Sequence, residues 1–316
     1  MDSAAPKTVF MFSGQGSQYF QMGRQLFETN EVFRESMICL DDLALRMCGR
    51  RVVDAIHSSG KSEVFDRTLL THPAIFMIEY ALAQCLMHEN VKPDLTLGAS
   101  LGSVAAAVVA GCMGVEQAMA TVIEQALAFE KSCQPGAMLA IVADPALYQE
   151  RFLHEHSELA GVNFHSHFAV SAPSAKLDAI EAALKQRDIV HQRLAVSFAF
   201  HSRWIDDARE RIAASMRAIS LAKATIPIVC CEQAAALTEL PEDFFWRVVR
   251  HPIRFKEAVA HLERQGPHRY IDLGPSGTLA TFVKYGLAAQ SRSSAHPILT
   301  PYGQDQKNLT ALLASR

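Results

Sequence analysis

The residue of this chain best suited to covalent chemistry is Ser100, at the centre of the run Gly98-Ala99-Ser100-Leu101-Gly102. The spacing G-x-S-x-G is typical of a nucleophile elbow, a sharp strand-to-helix turn that exposes a serine hydroxyl. Glycines two residues either side of the serine lack the side chains that would collide in such a turn. The pattern therefore predicts a nucleophilic serine, and a purely structural turn is the alternative.

An elbow needs a strand before it and a helix behind it, and the flanking residues fit both. Residues 92–97 predict a short buried strand, and residues 104–110 predict a helix of small residues packed closely on a sheet. The apolar run 8–12 predicts another strand, which ends in a glycine-containing loop over 13–18. Such loops lie at the carboxyl edge of a parallel sheet, where ligands bind.

The rest of the first half is mostly helical in pattern, from Met22 to Met87. Thr71-His72-Pro73 is expected to interrupt it and to begin a long apolar helix, with the proline near its first turn. After residue 198, helical and loop segments are expected around one further short strand at 270–273. The chain is thus of the α/β class.

The rhythm changes between residues 136 and 197. Three predicted strands alternate there with two predicted helices, at 137–142, 144–157, 162–171, 176–187 and 190–196. This run fits an inserted subdomain of ferredoxin-like type. We therefore expect a large α/β domain built from 1–135 and 198–316, and a small subdomain over 136–197.

Composition excludes several other classes. A net charge of −3 over 316 residues argues against nucleic acid as a partner, since such proteins usually carry a basic stripe. Seven irregularly spaced cysteines without a C-x-x-C pair are typical of reduced thiols in a cytoplasmic protein. The first residues show no basic leader followed by an apolar core, so no secretory signal is expected. The apolar stretch 97–115 suits a buried helix behind the elbow better than a membrane span.

No metal or nucleotide cofactor is expected either. His154 and His156 lie two residues apart on a predicted helix and point in different directions, which favours a solvated face over a metal site. His165 and His167 share a face of a predicted strand, but no third ligand is evident. The sequence contains no Walker-type phosphate loop and no dinucleotide fingerprint.

Several short segments, in order along nearly the whole chain, resemble one family. The chain looks like a malonyl-CoA:acyl-carrier-protein transacylase or a polyketide synthase acyltransferase domain. The segments that carry the resemblance are Gly14-Gln15-Gly16-Ser17-Gln18, Thr71-His72-Pro73-Ala74, the elbow, Gly136-Ala137-Met138, Ala199-Phe200-His201-Ser202, Pro252-Ile253-Arg254-Phe255 and Gly274-Pro275. The resemblance implies an α/β-hydrolase-like large domain with an inserted ferredoxin-like subdomain.

The resemblance also implies a catalytic set. Ser100 is expected to be the nucleophile, and His201 the base that takes its proton. The histidine is oriented in this family by a backbone carbonyl, here that of His251, where the family often has asparagine. The backbone N–H groups of Gln15 and Leu101 are expected to form the oxyanion hole, since the residue after the nucleophile is the usual donor in such elbows.

One departure from the family pattern bears on the substrate. Malonyl enzymes of this family carry an arginine in the helix after the elbow, which binds the malonyl carboxylate bidentately. The matching place falls at or near Gln125, and no arginine or lysine occurs between Leu101 and Glu130. A buried carboxylate without a cation costs several kcal/mol. Gln125 is therefore expected in the acyl-substrate pocket and favours uncharged acyl groups; packing on a helix face is the alternative.

Four more residues are expected at the acyl pocket. Ala99 stands where the family has histidine, His72 where glutamine is usual, and Phe198 where histidine or a small residue is usual. Phe200 points the other way, because malonyl-selective members share it; it is interpreted as pocket wall.

The function that the resemblance implies, together with these departures, is acyl transfer through an acyl-serine intermediate, from non-malonyl thioesters of an acyl carrier protein. Free-standing members of the family that lack the arginine include acyl hydrolases of polyketide pathways, so water is the favoured final acceptor. No bound cofactor is expected; the phosphopantetheine belongs to the carrier protein or to coenzyme A. The alternatives are transfer between coenzyme A and carrier protein, malonyl loading with a carboxylate site rebuilt elsewhere, and a non-catalytic carrier-docking module.

Overall fold

A computed structural model describes residues 5–217 and 219–315 of the protein. Within them the strands fall into two separate sheets. The strands in chain order are β1 (Lys7–Phe12), β2 (Leu95–Gly98), β3 (Gly136–Ile141), β4 (Glu158–Phe164), β5 (His167–Pro173), β6 (His191–Arg193), β7 (Ile228–Cys230), β8 (Ala235–Leu237), β9 (His268–Asp272) and β10 (Ser294–Pro297).

Helices connect the strands and cover both sheets. They are α1 (Arg24–Thr29), α2 (Glu31–Cys48), α3 (Val52–His57), α4 (Thr68–His88), α5 (Gly102–Val109), α6 (Val115–Ser132), α7 (Arg151–His154), α8 (Ser174–Gln186), α9 (Arg209–Met216), α10 (Phe244–Arg250), α11 (Phe255–Glu263), α12 (Thr278–Gly286) and α13 (Asp305–Ala314). Two 3₁₀ turns lie at Pro145–Gln149 and Arg203–Ala208.

The first sheet has six strands in the order β10-β9-β1-β2-β7-β8. Its strands pair in parallel except at the β7–β8 edge, which is antiparallel. Along β1, Phe10 and Phe12 are buried in the core on one face, while Val9 and Met11 are buried on the other. Helices cover both faces of the sheet, which explains why β1 is apolar without alternation.

The second sheet has four antiparallel strands in the order β4-β5-β3-β6, all lying between Gly136 and Arg193. One face packs on α8, with Leu139 of β3 and Leu177 of α8 in the same core cluster. Because side chains alternate along a strand, Met138 and Ala140 point to the opposite face, toward the first sheet. Helical segments and strands follow one another as β-α-β-β-α-β, the ferredoxin-like order.

This order corrects the predicted elements of the subdomain. Residues 162–171 do not form one strand: β4 and β5 pair as a hairpin around a turn at His165. His165 and His167 therefore do not share one strand. The helix predicted over 144–157 is a 3₁₀ turn followed by the single turn α7. Sequence patterning also missed β7, β8 and β10, which are three or four residues long.

The long helix α4 begins earlier than predicted. It starts at Thr68, and Pro73 lies inside it, so Thr71-His72-Pro73 does not interrupt the helical region. In length and composition α4 could cross a membrane, but 83% of its apolar stretch is buried inside the protein. It is a core helix packed against α2, α5 and α6.

A short parallel bridge joins the second sheet to the segment after α10. Ile253 donates its backbone N–H to the carbonyl of Ala160 at 2.8 Å, and Val162 donates to the carbonyl of Ile253 at 2.9 Å. A Cβ on Gly161 would lie 2.9 Å from the Ile253 Cβ, so only glycine permits this approach. The second sheet is thus hydrogen-bonded to the main chain two residues after His251.

Candidate active site

The predicted elbow is present between β2 and α5, with Ser100 at its apex. The Ser100 backbone has φ 56°, a left-handed conformation that is uncommon outside glycine. A Cβ on Gly98 would lie 2.5 Å from the Ser103 Cα, and one on Gly102 would lie 2.2 Å from the Phe12 carbonyl oxygen. Both glycines are therefore required for the turn to pack against itself and against the end of β1.

His201 is in contact with the hydroxyl of Ser100. Its Nε2 lies 2.9 Å from Ser100 Oγ, and its Nδ1 lies 2.7 Å from the backbone carbonyl oxygen of His251. A carbonyl only accepts, so Nδ1 carries the proton and Nε2 is left to accept from the serine. The contact predicted for the His251 carbonyl is present in the structure.

The environment of His201 keeps its imidazole neutral. Burial lowers the pKa of His201 to about 4; the hydrogen bond to His251 opposes this, and the nearby Arg250 and His251 lower the pKa further. A neutral imidazole at pH 7 can take the proton of Ser100 as the hydroxyl attacks an electrophile. The pair is therefore chemically competent for nucleophilic catalysis.

Two backbone donors lie at the turns beside Ser100. Leu101 follows the serine and directly precedes α5, and Gln15 lies in the loop after β1. A Cβ on Gly14 would be 2.8 Å from the Ser100 Cβ, so this loop is packed directly on Ser100. Within residues 5–217 and 219–315, neither the Gln15 N–H nor the Leu101 N–H has a hydrogen-bond acceptor. Both are free to donate to an oxyanion.

Ser100 and His201 open into a cavity of about 630 Å³ between the two sheets. The loop Ser13–Tyr19 forms one wall, and residues of α11 and α12, including Phe255 and Phe282, form another. The inner face of the second sheet forms the floor, through Met138, Ala140, His167, Ala169, Gln192 and Leu194. Among described residues the lining includes no lysine, arginine, aspartate or glutamate, so a ligand there meets no fixed charge.

The predicted pocket residues divide into two sets. Ala99 and Phe200 line the cavity, whereas His72, Phe198 and Gln125 are not among the described residues that line it. Their contact with an acyl group stays a prediction. Rings fill the space behind Phe200, whose centroid lies 5.8 Å from that of His72. We call His72, Phe129, Phe198 and Phe200 the aromatic wall.

Phe129, on α6, contacts the other three residues of the aromatic wall. Its ring packs edge-on against Phe200 at 5.1 Å and contacts Phe198 at 6.2 Å and His72 at 5.9 Å. Contacts of this kind favour a close-packed, rigid cluster. The wall therefore closes one side of the space beside Ser100 with apolar surface.

Gln125 lies one helical turn before Phe129 and is fully buried. Its amide nitrogen donates to the carbonyl of Phe245 at 3.1 Å, while its Oε1 has no partner among the described residues. Gln125 thus packs in the core against α10, and its contact with an acyl group stays a prediction.

Sequence reasoning missed the cavity floor. Met138 and Ala140 belong to β3, whose residues are apolar on both faces. An exposed sheet face would alternate with polar residues, so apolar residues on both faces indicate that each face is covered. The sequence of β3 therefore indicates that both faces are covered, but it does not indicate what covers the second face.

Nearly the whole sequence fits one family. The family profile described as Acyl transferase domain matches residues 9–316, and the chain belongs to this family. The protein is an acyltransferase-class enzyme, as predicted from its motifs.

Similar proteins point to the same class. The chain is 45% identical over 304 residues to the Polyketide biosynthesis acyltransferase homolog BaeD of Bacillus velezensis, covering 95% of this chain and 94% of that protein. It is 44% identical over 307 residues to the homolog PksD of Bacillus subtilis, with coverage of 96% and 95%.

Solved structures agree in fold. The acyltransferase domain from the second module of the salinomycin polyketide synthase matches with a TM-score of 0.86 and 26% identity, over 99% of this chain and 73% of that one. MCAT from Streptococcus pneumoniae matches with a TM-score of 0.79 and 25% identity, over 98% and 100%. The predicted α/β fold with a ferredoxin-like subdomain is confirmed.

Proposed function

We propose that this protein hydrolyses uncharged acyl groups from the phosphopantetheine thioester of an acyl carrier protein, in a polyketide biosynthetic pathway. The pathway is taken from the names of the relatives at 45% and 44% identity. The observation that carries the substrate class is the cavity beside Ser100, whose described lining includes no Lys, Arg, Asp or Glu. A cytoplasmic location is part of the proposal, because these two relatives are named as biosynthetic proteins.

The acyl-enzyme step follows from the geometry of Ser100 and His201. Oγ attacks the thioester carbon while its proton passes to Nε2, 2.9 Å away. The negative oxygen that forms is stabilised by the N–H groups of Gln15 and Leu101. The C–S bond then breaks, and the leaving thiolate takes the proton from His201. The acyl group remains on Ser100 as an ester.

The second half of the reaction uses the same groups. A water molecule gives a proton to Nε2 of His201 as its oxygen attacks the ester carbon. The Ser100–acyl bond breaks, Ser100 recovers its proton from the imidazolium, and a free acid leaves. Water is proposed as acceptor because the arginine-lacking members that this sequence resembles include acyl hydrolases.

A malonyl group is disfavoured by the same cavity. Desolvating a carboxylate without a cation costs at least about 3 kcal/mol, which corresponds to roughly 100-fold in turnover. The aromatic wall presents hydrocarbon surface beside the nucleophile, through Phe200. We therefore expect acetyl and butyryl groups to be removed faster than malonyl.

The test uses carrier proteins loaded with acetyl, butyryl or malonyl groups, with intact mass measured over time. Acetyl or butyryl must disappear from the carrier without appearing on a second, unloaded carrier or on coenzyme A. Appearance on the second thiol would show transfer, and malonyl removal at the acetyl rate would overturn the substrate class.

A variant tests the chemistry itself. Ser100→Ala must abolish both turnover and the acyl adduct on the protein, because it removes the attacking oxygen. If carrier binding persists in this variant while turnover is absent in the wild type as well, the protein is a docking module and the enzymatic proposal fails.

A further inference from the structure

Glu79 is a buried acid that the mechanism above does not use. It lies inside α4 and is completely buried. Its Oε1 accepts two hydrogen bonds from Ser13, one from the backbone N–H at 2.5 Å and one from the hydroxyl at 3.0 Å. A buried carboxyl that receives both donors of one residue fixes the position of that residue.

Ser13 is the first residue of the loop that carries Gln15. The loop leaves β1 at Phe12 and passes within packing distance of the nucleophile at Gly14, where a Cβ would be 2.8 Å from the Ser100 Cβ. A displacement of Ser13 therefore moves the Gln15 N–H relative to the position where the oxyanion forms.

The same helix, α4, also binds the side chain of Gln15 in this loop. The Gln15 amide donates to the Thr71 hydroxyl at 2.9 Å and contacts Nδ1 of His72. Glu79 lies seven residues after His72, about two helical turns, so both lie near one face of α4. The loop is thus supported by α4 at two points.

We propose that Glu79 is a positioning residue. Through Ser13 it fixes the loop 13–19, and thereby the position of the Gln15 N–H relative to Ser100. This inference rests on the acyl-serine chemistry proposed above. Glu79 touches neither the nucleophile nor the cavity, so its effect passes through Ser13 and Gln15. The alternative is that Glu79 only fills space in the core. In that case its substitution changes the stability of the fold and not the rate of acylation.

The group required is a neutral acceptor. Burial raises the pKa of Glu79 well above its ordinary value; the Ser13 hydrogen bonds oppose this, and the buried Asp272 raises it further. A protonated carboxyl retains one carbonyl oxygen, which can accept from both Ser13 donors. Its other oxygen, Oε2, has no partner among the described residues. In Glu79→Gln the isosteric amide keeps an oxygen that can accept from both Ser13 donors. We therefore expect this variant to hold Ser13 as the acid does.

The test compares variants by the rate of acyl–Ser100 formation, kcat and KM on acetyl carrier protein. Glu79→Met fills the space without an acceptor, and Glu79→Asp retracts the carboxyl by one carbon. Leu86→Ala is the matched control, because it creates a cavity in the same buried helix roughly 10 Å further along. Thermal unfolding is measured for each variant.

We expect Glu79→Met to lower kcat by roughly 10- to 100-fold with KM unchanged, since small misplacements of catalytic groups have effects of this size. Glu79→Asp should be intermediate, and Glu79→Gln should stay within about twofold of wild type. Leu86→Ala should lower the melting temperature and leave kcat unchanged.

Three results would overturn the inference. One is wild-type acylation rates in Glu79→Asp and in a folded Glu79→Met. Another is a Glu79→Gln loss as large as that of Glu79→Met. The third is a kcat loss in Leu86→Ala proportional to its loss of stability. Absence of acylation in the wild-type protein would instead remove the proposed function, and this inference with it.

Discussion

The substitution Gln125→Arg tests whether residue 125, the predicted place of the malonyl-binding arginine, faces the acyl group. If residue 125 faced the cavity, the new arginine would give the cavity a group that binds a carboxylate. The structure instead buries Gln125 completely, with its amide nitrogen on the Phe245 carbonyl and its oxygen without a partner. Because Gln125 is not among the described residues that line the cavity, we expect a guanidinium introduced there to be buried without a carboxylate partner.

The magnitude follows from the cost of an unpaired buried charge. Leaving one partner of a buried ion pair alone costs about 3–5 kcal/mol, out of a typical total stability of about 5–15 kcal/mol. The matched control is Gln125→Met, which loses one hydrogen bond but also removes the unpartnered Oε1. These two terms are each about 1–2 kcal/mol and nearly cancel.

The assay combines urea unfolding, followed by circular dichroism, with malonyl and acetyl removal from carrier protein. We expect Gln125→Arg to be less stable than Gln125→Met by about 3 kcal/mol or more, with no rise in the malonyl-to-acetyl ratio. An arginine variant as stable as the methionine variant, with faster malonyl turnover, would show that this side chain reaches the acyl group. Gln125 would then lie beside the acyl group and not only in the core.

Three further predictions concern the elbow and the base. Because burial lowers the pKa of His201 to about 4, kcat/KM should remain near its plateau as pH falls through 6.5 and reach half near pH 4; an acid limb at 6.5 would contradict a buried base. Gly102→Ala should yield no folded enzyme by circular dichroism, since its Cβ would lie 2.2 Å from the Phe12 carbonyl oxygen, whereas Gly60→Ala, with no atom nearer than 3.9 Å, should fold normally. His251→Asn should keep kcat within about twofold in steady-state kinetics, because the orienting group is a backbone carbonyl; a loss above about tenfold would assign the role to the side chain.

The elbow at Ser100 was predictable because local sequence specifies it, whereas the role of His201 came only from resemblance to a family. The glycines around Ser100 are required by backbone contacts within a few residues, which leave a readable spacing. The His201–His251 contact, by contrast, joins segments fifty residues apart and was accessible only through resemblance to a family. The fold class followed from the order of elements, although residues 162–171 were predicted as one strand where the structure has the β4–β5 hairpin.

The placement of Gln125 could not be predicted from its position along the chain. Counting from motifs locates a residue on α6 but not the direction of its side chain or the rings that pack beside it. Phe129 and Phe200 meet at 5.1 Å across seventy-one residues, and neither carries a sequence signal for this contact. Glu79 was missed for the same reason: an acid in an apolar helix gives no indication that its partner is Ser13.

The bridge between Gly161 and Ile253 has a practical consequence for building chimeras. Ile253 lies two residues beyond the carbonyl that orients His201, and it is paired on both sides with the subdomain backbone. Grafting a relative's subdomain into this enzyme would therefore also change the contacts of the segment whose carbonyl binds His201. A successful graft needs a glycine at the matching place of the donor and a compatible 251–253 segment in the recipient.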